Sequence, residues 1–208
     1  MSSFCKVTAC NQPGGTGANA NYILRERACE RWDTQNIPDY KILGNTVLER
    51  KQAAVEELSH VSEMGTGKRH SFRVVLSFER NVSHDRALEM AREFLAKSPF
   101  KNNPAIMAVH TNTNHTHVHI NLAARKTDGK KIQLDNQQYR SIDKTWERIY
   151  TREMTREIKQ EQPQLRTIEQ QHNPALSGVN GRVIQLEEWR RRYGQLRREG
   201  SNRRRSRN

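Results

Sequence analysis

His110-Thr-Asn-Thr-Asn-His115-Thr-His117-Val-His119-Ile120 holds four of the chain's eight histidines. Residues 105–109 before it and 118–124 after it are short apolar runs with strand character, and the Thr/Asn run between them reads as the turn of a hairpin. Alternate side chains of an extended strand share a face, so His117 and His119 point one way while Val118 and Ile120 point the other. A hairpin that closes its first strand at His110 brings that residue back opposite the pair, and three imidazoles converge. Three neutral nitrogen ligands bind a divalent cation without cancelling its charge and leave a coordination position open, which is the arrangement of a Lewis-acid centre. The alternative is a solvated hairpin with scattered polar residues. His115 falls inside the Thr/Asn run and reads as a turn residue.

Outward from this hairpin, the 208 residues suffice for one domain of ordinary size plus an appendage. Only 34% are hydrophobic and mean hydropathy is -0.98, so much of the chain faces solvent, while the middle still supports a core. A net charge of +13 and a pI near 10.1 call for a polyanionic partner, nucleic acid first. An anionic lipid surface has less support, because no strongly amphipathic apolar face is evident. Cys5, Cys10 and Cys29 lack Cys-x-x-Cys spacing and are odd in number, which suits free thiols in a reducing compartment. With no apolar run of signal-peptide or membrane-span length, the expectation is a soluble cytoplasmic protein without membrane insertion.

Residues 3–9 alternate as a first strand, broken by Pro13-Gly14-Gly15-Thr16-Gly17. The spacing of Ala18, Tyr22, Cys29 and Trp32 then predicts a helix to about residue 32, its stripe interrupted by Arg25. Tyr22 sits one turn inside it; by position alone it is an ordinary amphipathic tyrosine. Residues 34–45 look irregular. A helix follows over 46–62, with Thr46 and Glu49 at capping-box spacing. Residues 70–78 alternate as a strand, and residues 83–97 form a helix striped by Ala87, Met90, Ala91, Phe94 and Leu95. After the histidine hairpin, Thr127-Asp128-Gly129-Lys130 turns into a short strand over 131–134. Asp135 or Asn136 caps a helix to about residue 160, with Tyr139, Ile142, Trp146 and Ile149 along its core side. The pattern is an α/β (α+β) sandwich on a mainly antiparallel sheet. Residues 163–180 read as a linker, and 181–208 as a basic helix and charged tail.

The parts combine into a chemistry. A cation held by histidines draws charge from a phosphodiester while a phenol oxygen attacks phosphorus, exchanging one phosphodiester for another of similar energy, so the nick can be resealed by reversal. The segment around His117-Val118-His119 resembles the metal motif of the HUH (His-hydrophobe-His) endonucleases. Gly14-Gly15-Thr16-Gly17-Ala18-Asn19-Ala20-Asn21-Tyr22-Ile23 is similar to the N-terminal tyrosine segment of plasmid mobilisation relaxases of the MobA/VirD type. In relaxases the tyrosine precedes the histidines. Rolling-circle replication initiators place it after them, as Tyr-x-x-x-Lys, but Asp143 stands four residues after Tyr139 and Met154 four after Tyr150.

The resemblance covers roughly residues 1–162. It implies a five-stranded antiparallel sheet flanked by helices, with Tyr22 as nucleophile and His110, His117 and His119 as ligands of Mg or Mn. It further implies nicking and rejoining at an origin of transfer through a 5′-phosphotyrosine. The implied partners are single-stranded and hairpin DNA, accessory relaxosome proteins and a type IV secretion coupling protein, with passage into a recipient cell a further option. Arg25, Arg27, Arg73 and the run Arg190, Arg191, Arg192, Arg197 and Arg198 are candidate DNA contacts. Many relatives carry a carboxylate where this chain has Asn112 and Asn114, so a base must come from elsewhere; Glu79 is the first candidate and Asp85 the second. Three alternatives stay open. One is a nuclease that activates water, one a DNA-binding accessory protein with a structural metal, and one a nuclease akin to replication initiators.

Overall fold

Alternation, caps and turns set the elements of the computed structural model, which describes residues 3–25, 29–64, 68–79, 82–111 and 115–172. Strand β1 (Phe4–Cys10) leads into helix α1 (Gly15–Leu24), then β2 (Cys29–Gln35), α2 (Val47–Glu63) and β3 (Ser71–Ser77). Helix α3 (His84–Lys97), the hairpin strands β4 (Ala105–His110) and β5 (His117–Ala123), and helix α4 (Asn136–His172) complete the order. The five strands form one sheet in the order β1-β3-β5-β4-β2, and every neighbouring pair is antiparallel. The α+β architecture expected of the sequence is present. No helix among the described residues is long and apolar enough to cross a membrane.

Local chemistry explains most boundaries. At α2 the Glu49 N–H donates to Thr46 Oγ1 at 3.1 Å and the Thr46 N–H to Glu49 Oε2 at 3.2 Å, which satisfies two orphan donors of the first turn. At α1 the N-cap is Gly14 at φ 72°, a left-handed conformation that glycine adopts without a steric penalty.

Three expectations are corrected. Residues 29–35 are a strand, not the end of the first helix, which stops at Leu24. Every residue of β4 is buried, and its outer edge would be left with unpaired backbone groups if β2 did not cover it; that need overrides the weak helical stripe. The expected strand over 131–134 reduces to an Arg125–Lys131 bridge beyond the Gly129 turn, too short to add a ladder. Helix α4 does not stop near residue 160 but runs to His172, through Pro163. Residues 173–208, with much of the expected linker and the whole basic helix, lie outside the described residues, as do Arg27, Asn112 and Asn114.

Contacts cluster into one unit, Met1–Glu153, and a second, Met154–Asn208. In the first, strand parity separates two faces. Val74, Leu76, Val109, Val118, Ile120 and Leu122 are buried on the face that α3 covers, along with the first half of α4. There Trp146 meets Phe78 and Phe94 edge-on, with centroids 5.3 and 6.2 Å apart. Helices α1 and α2 cover the other face, with Ala20, Ile23, Val55 and Leu58 packed against Ile106, Ala108 and Ala123. This second face carries the histidines.

Candidate metal centre and its tyrosine helix

The β4–β5 register pairs His110 with His117 and Ala108 with His119, so all three imidazoles project from one face of adjacent strands. Ring centroids lie 4.5 Å apart for His110–His119, 4.9 Å for His117–His119 and 5.5 Å for His110–His117. One ligand nitrogen from each falls within 4.8 Å of the others, close enough to share one ion. Among the described residues no carboxylate joins this group.

Hydrogen bonds set the tautomers. His110 Nε2 lies 2.6 Å from the Ile23 carbonyl, which can only accept, so Nε2 carries the proton and the lone pair is on Nδ1. His117 Nδ1 stands 3.2 Å from the His115 carbonyl, which by the same reasoning leaves its lone pair on Nε2. Burial, with the neighbouring His110 and His117 next, pushes His119 down to about 3. Burial likewise lowers His110, against the opposing pull of its bond to Ile23. The hydrogen bonds of His110 and His117 each leave one ring nitrogen for a cation, and the three rings offer one nitrogen apiece within reach of a single ion, so the donor set fits a divalent cation.

The same face positions the tyrosine. Helix α1 is bonded to the sheet at both ends: Asn121 Nδ2, buried on β5 two residues after His119, donates to the Thr16 carbonyl at 2.8 Å, and His110 holds the Ile23 carbonyl. A Cβ at Gly17 would come within 2.8 Å of Ser59 Oγ, so glycine allows α1 to seat this closely on α2. Tyr22, next to Ile23, stays 47% exposed. Arg25 stacks its guanidinium 4.2 Å above the Tyr22 ring and donates to the phenol oxygen at 3.4 Å. Its charge is also felt at His110 and His119, which it helps to lower.

Of the other candidates, Arg73 on β3 shares the histidine face, opposite Asn121, and its charge also lowers His119. Glu79 follows β3 half-buried, with its backbone N–H donating to Tyr150 Oη at 3.1 Å. Asp85 opens α3, on the opposite side of the sheet, where it accepts two bonds from Arg31 at 2.8 and 3.0 Å. The structure therefore brings Tyr22, Arg25, Arg73 and the three histidines to one face and leaves Asp85 away from them. Sequence reasoning missed Asn121, although its parity with His117 and His119 placed a polar residue on that face.

A family model described as a relaxase, MobA/VirD2-like, nuclease domain, matches residues 22–155. Among solved structures, one from work on the molecular basis of vancomycin resistance transfer in Staphylococcus aureus superposes with a TM-score of 0.56 at 10% identity. The match covers 76% of this chain and 94% of that one, and at this identity it speaks for the fold alone. No curated protein matches the chain.

Proposed function

The chain belongs to the MobA/VirD2-like relaxase family, whose nuclease domain nicks DNA for mobilisation, and from that premise we propose that it does so by tyrosine transesterification at Tyr22. One observation supports this above all others: His110 donates to the backbone carbonyl of Ile23, the residue after Tyr22, which ties the helix that carries the exposed phenol to the strand pair that carries the histidines. His110, His117 and His119 would hold the divalent metal that the family uses, Mg or Mn. When bound, it supplies Lewis-acid withdrawal of charge from the scissile phosphate.

The remaining work falls to the protein. Tyr22 Oη attacks phosphorus, a P–O bond to the phenol forms, the P–O3′ bond breaks, and the 3′ oxygen leaves as the free hydroxyl once protonated. The strand is left with a 5′-phosphotyrosine, and reversal reseals it. Arg25 sets positive charge beside the phenol oxygen where the phosphate must arrive, and Arg73 adds charge on the same face. Neither is a base, so the phenol proton passes to solvent or to a carboxylate, with Glu79 the first to test. The substrate is single-stranded DNA beside a hairpin at an origin of transfer. Accessory relaxosome proteins and a type IV coupling protein complete the cytoplasmic assembly.

The test is incubation with labelled single-stranded DNA from the flanking plasmid region plus Mn, followed by a denaturing gel. Wild type gives a covalent protein–DNA band and a nicked product. Tyr22→Phe loses both while keeping DNA affinity within about twofold, because a single hydroxyl contributes little beside the phosphate contacts. Full nicking by that variant would establish a water nucleophile instead.

A further inference from the structure

The sheet ends in two strands, β1 and β2, each paired on one side only among the described residues. The two edges are finished differently. Strand β2 is interrupted by a register shift between Cys29 and Arg31, and helix α3 ties its side chains down through the ion pairs Arg31–Asp85 and Arg92–Asp33. A bulge and charged side chains keep an edge from pairing again. Strand β1 is not interrupted: all seven of its residues stay in register with β3, Lys6 is its one charged residue, and Phe4 stands 49% exposed. The direction of its backbone groups follows from β3. The Phe78 N–H donates to the Thr116 carbonyl on the β5 side, so by alternation residues 72, 74 and 76 bond toward β5 and residues 71, 73, 75 and 77 toward β1. Their partners Cys10, Thr8, Lys6 and Phe4 therefore bond inward, and the N–H and C=O groups of Cys5, Val7 and Ala9 point to the open side.

We propose that this edge pairs with the same edge of a second copy of the chain, β1 running antiparallel to the partner's β1 across a two-fold axis at Val7. That register overlaps the whole of both strands. In it Cys5 meets the partner's Ala9, Val7 the partner's Val7 and Ala9 the partner's Cys5. These are the residues with outward groups, and each such pair exchanges two N–H···O bonds. Between them, Lys6 stands opposite the partner's Thr8 and Phe4 opposite the partner's Cys10. The one charge of the strand thus meets a hydroxyl and not itself, and the exposed Phe4 ring gains the partner's Cys10 and Thr8 as neighbours. On the other face small and apolar side chains meet in the Cys5–Ala9 and Val7–Val7 pairs. Any extended strand would satisfy the backbone groups; the fit of side chains at every position is what selects a second copy. The axis runs perpendicular to the sheet, so the two histidine faces lie on the same side of one continuous sheet, five strands from each copy. Strand β5 and the partner's β5 are then five strand spacings apart, roughly 24 Å.

The experiment is sedimentation equilibrium of the full chain across the micromolar range, in about 0.15 M salt to screen the net positive charge of the two copies. Wild type should reach a dimer. Ala9→Pro removes an outward N–H from each copy and leaves the β1–β3 ladder intact, so it should weaken the dimer at least about tenfold, the scale of two lost hydrogen bonds. Independently, Phe4→Cys is oxidised and its disulfides are mapped by mass spectrometry. Within one chain positions 4 and 10 lie at opposite ends of β1, roughly 20 Å apart, so only a second copy can bring Cys10 to the introduced thiol. The expected result is a covalent dimer joined between position 4 of one copy and Cys10 of the other, lost when Cys10→Ser is added. This arm keeps the β1 backbone unchanged and decides the matter if Ala9→Pro fails to fold. A wild type that stays monomeric at the highest concentration overturns the pairing. So does a dimer that Ala9→Pro leaves equally tight, or a disulfide that maps to Cys5 or Cys29 instead.

Discussion

The two faces of the sheet are built on different principles. Under α3 and the first half of α4 the face is dry and aromatic, and charges at its margin pair off. Glu93 accepts from Arg152 at 2.7 Å, while Glu153, only 3% exposed, is held by both Arg152 and Arg86. Under α1 and α2 the face carries three histidines, Asn121 and Thr16. Among the described residues, Thr16 Oγ1, Asn121 Oδ1, Ser62 Oγ and Ser71 Oγ lack a hydrogen-bond partner within the protein on this side, and under α4 Trp146 Nε1 is a like case. One face is thus packed mainly from apolar and aromatic side chains, whereas the other sets several polar groups into its packing where the reacting groups are held.

That contrast makes separable predictions. The largest effect belongs to the histidine face. His117→Ala together with His119→Ala should reduce nicking by at least about a hundredfold through loss of the cation site, with a melting temperature no lower than wild type in EDTA. A large drop in melting temperature would mean that the histidines also serve the core. Next comes the aromatic face: Trp146→Ala should cost about 3–5 kcal/mol in urea denaturation, with nicking per folded molecule unchanged. Loss of specific activity in the folded fraction would break the division between faces. Smaller still is Asn121→Leu, which frees the start of α1. It should lower the single-turnover nicking rate about tenfold with KM for DNA unchanged, because it moves the nucleophile and not the phosphate contacts. An equal change in KM would assign Asn121 to binding instead.

The smallest effect is on acid stability. Arg152 holds Glu93 well below its ordinary 4.5, at about 2. A carboxyl depressed in the folded state stabilises it above the unfolded value, and that contribution fades as pH falls from about 4.5 toward about 2. Thermal melts across this window should fall less steeply for Arg152→Ala than for wild type, whereas parallel slopes would show that the pair is inert.

The sequence made the histidine face readable because strand parity is local: alternation alone puts His117 and His119 together, and the polar turn returns His110. The Thr46–Glu49 capping box was readable for the same reason. Strand β2 was not, because Cys29–Gln35 lacks clean alternation and its pairing is dictated by the distant edge of β4. Arg25 shows both sides of this limit. In the sequence it interrupts a helical stripe and stands as a candidate DNA contact, but only its three-residue spacing from Tyr22 on the folded helix lets it turn back over the phenol at the end of α1. The bond from Asn121 to Thr16 joins residues 105 apart in the chain, and no local pattern reports such a pairing.

The proposed chemistry turns on which atom holds the DNA. The most direct measurement is to trap the covalent complex with single-stranded origin DNA and Mn, digest both components, and sequence the nucleotide-bearing peptide by mass spectrometry. The prediction is a phosphodiester on the oxygen of Tyr22, in a peptide from α1. A nucleotide on any other residue, or a nicked product with no adduct at all, would contradict it.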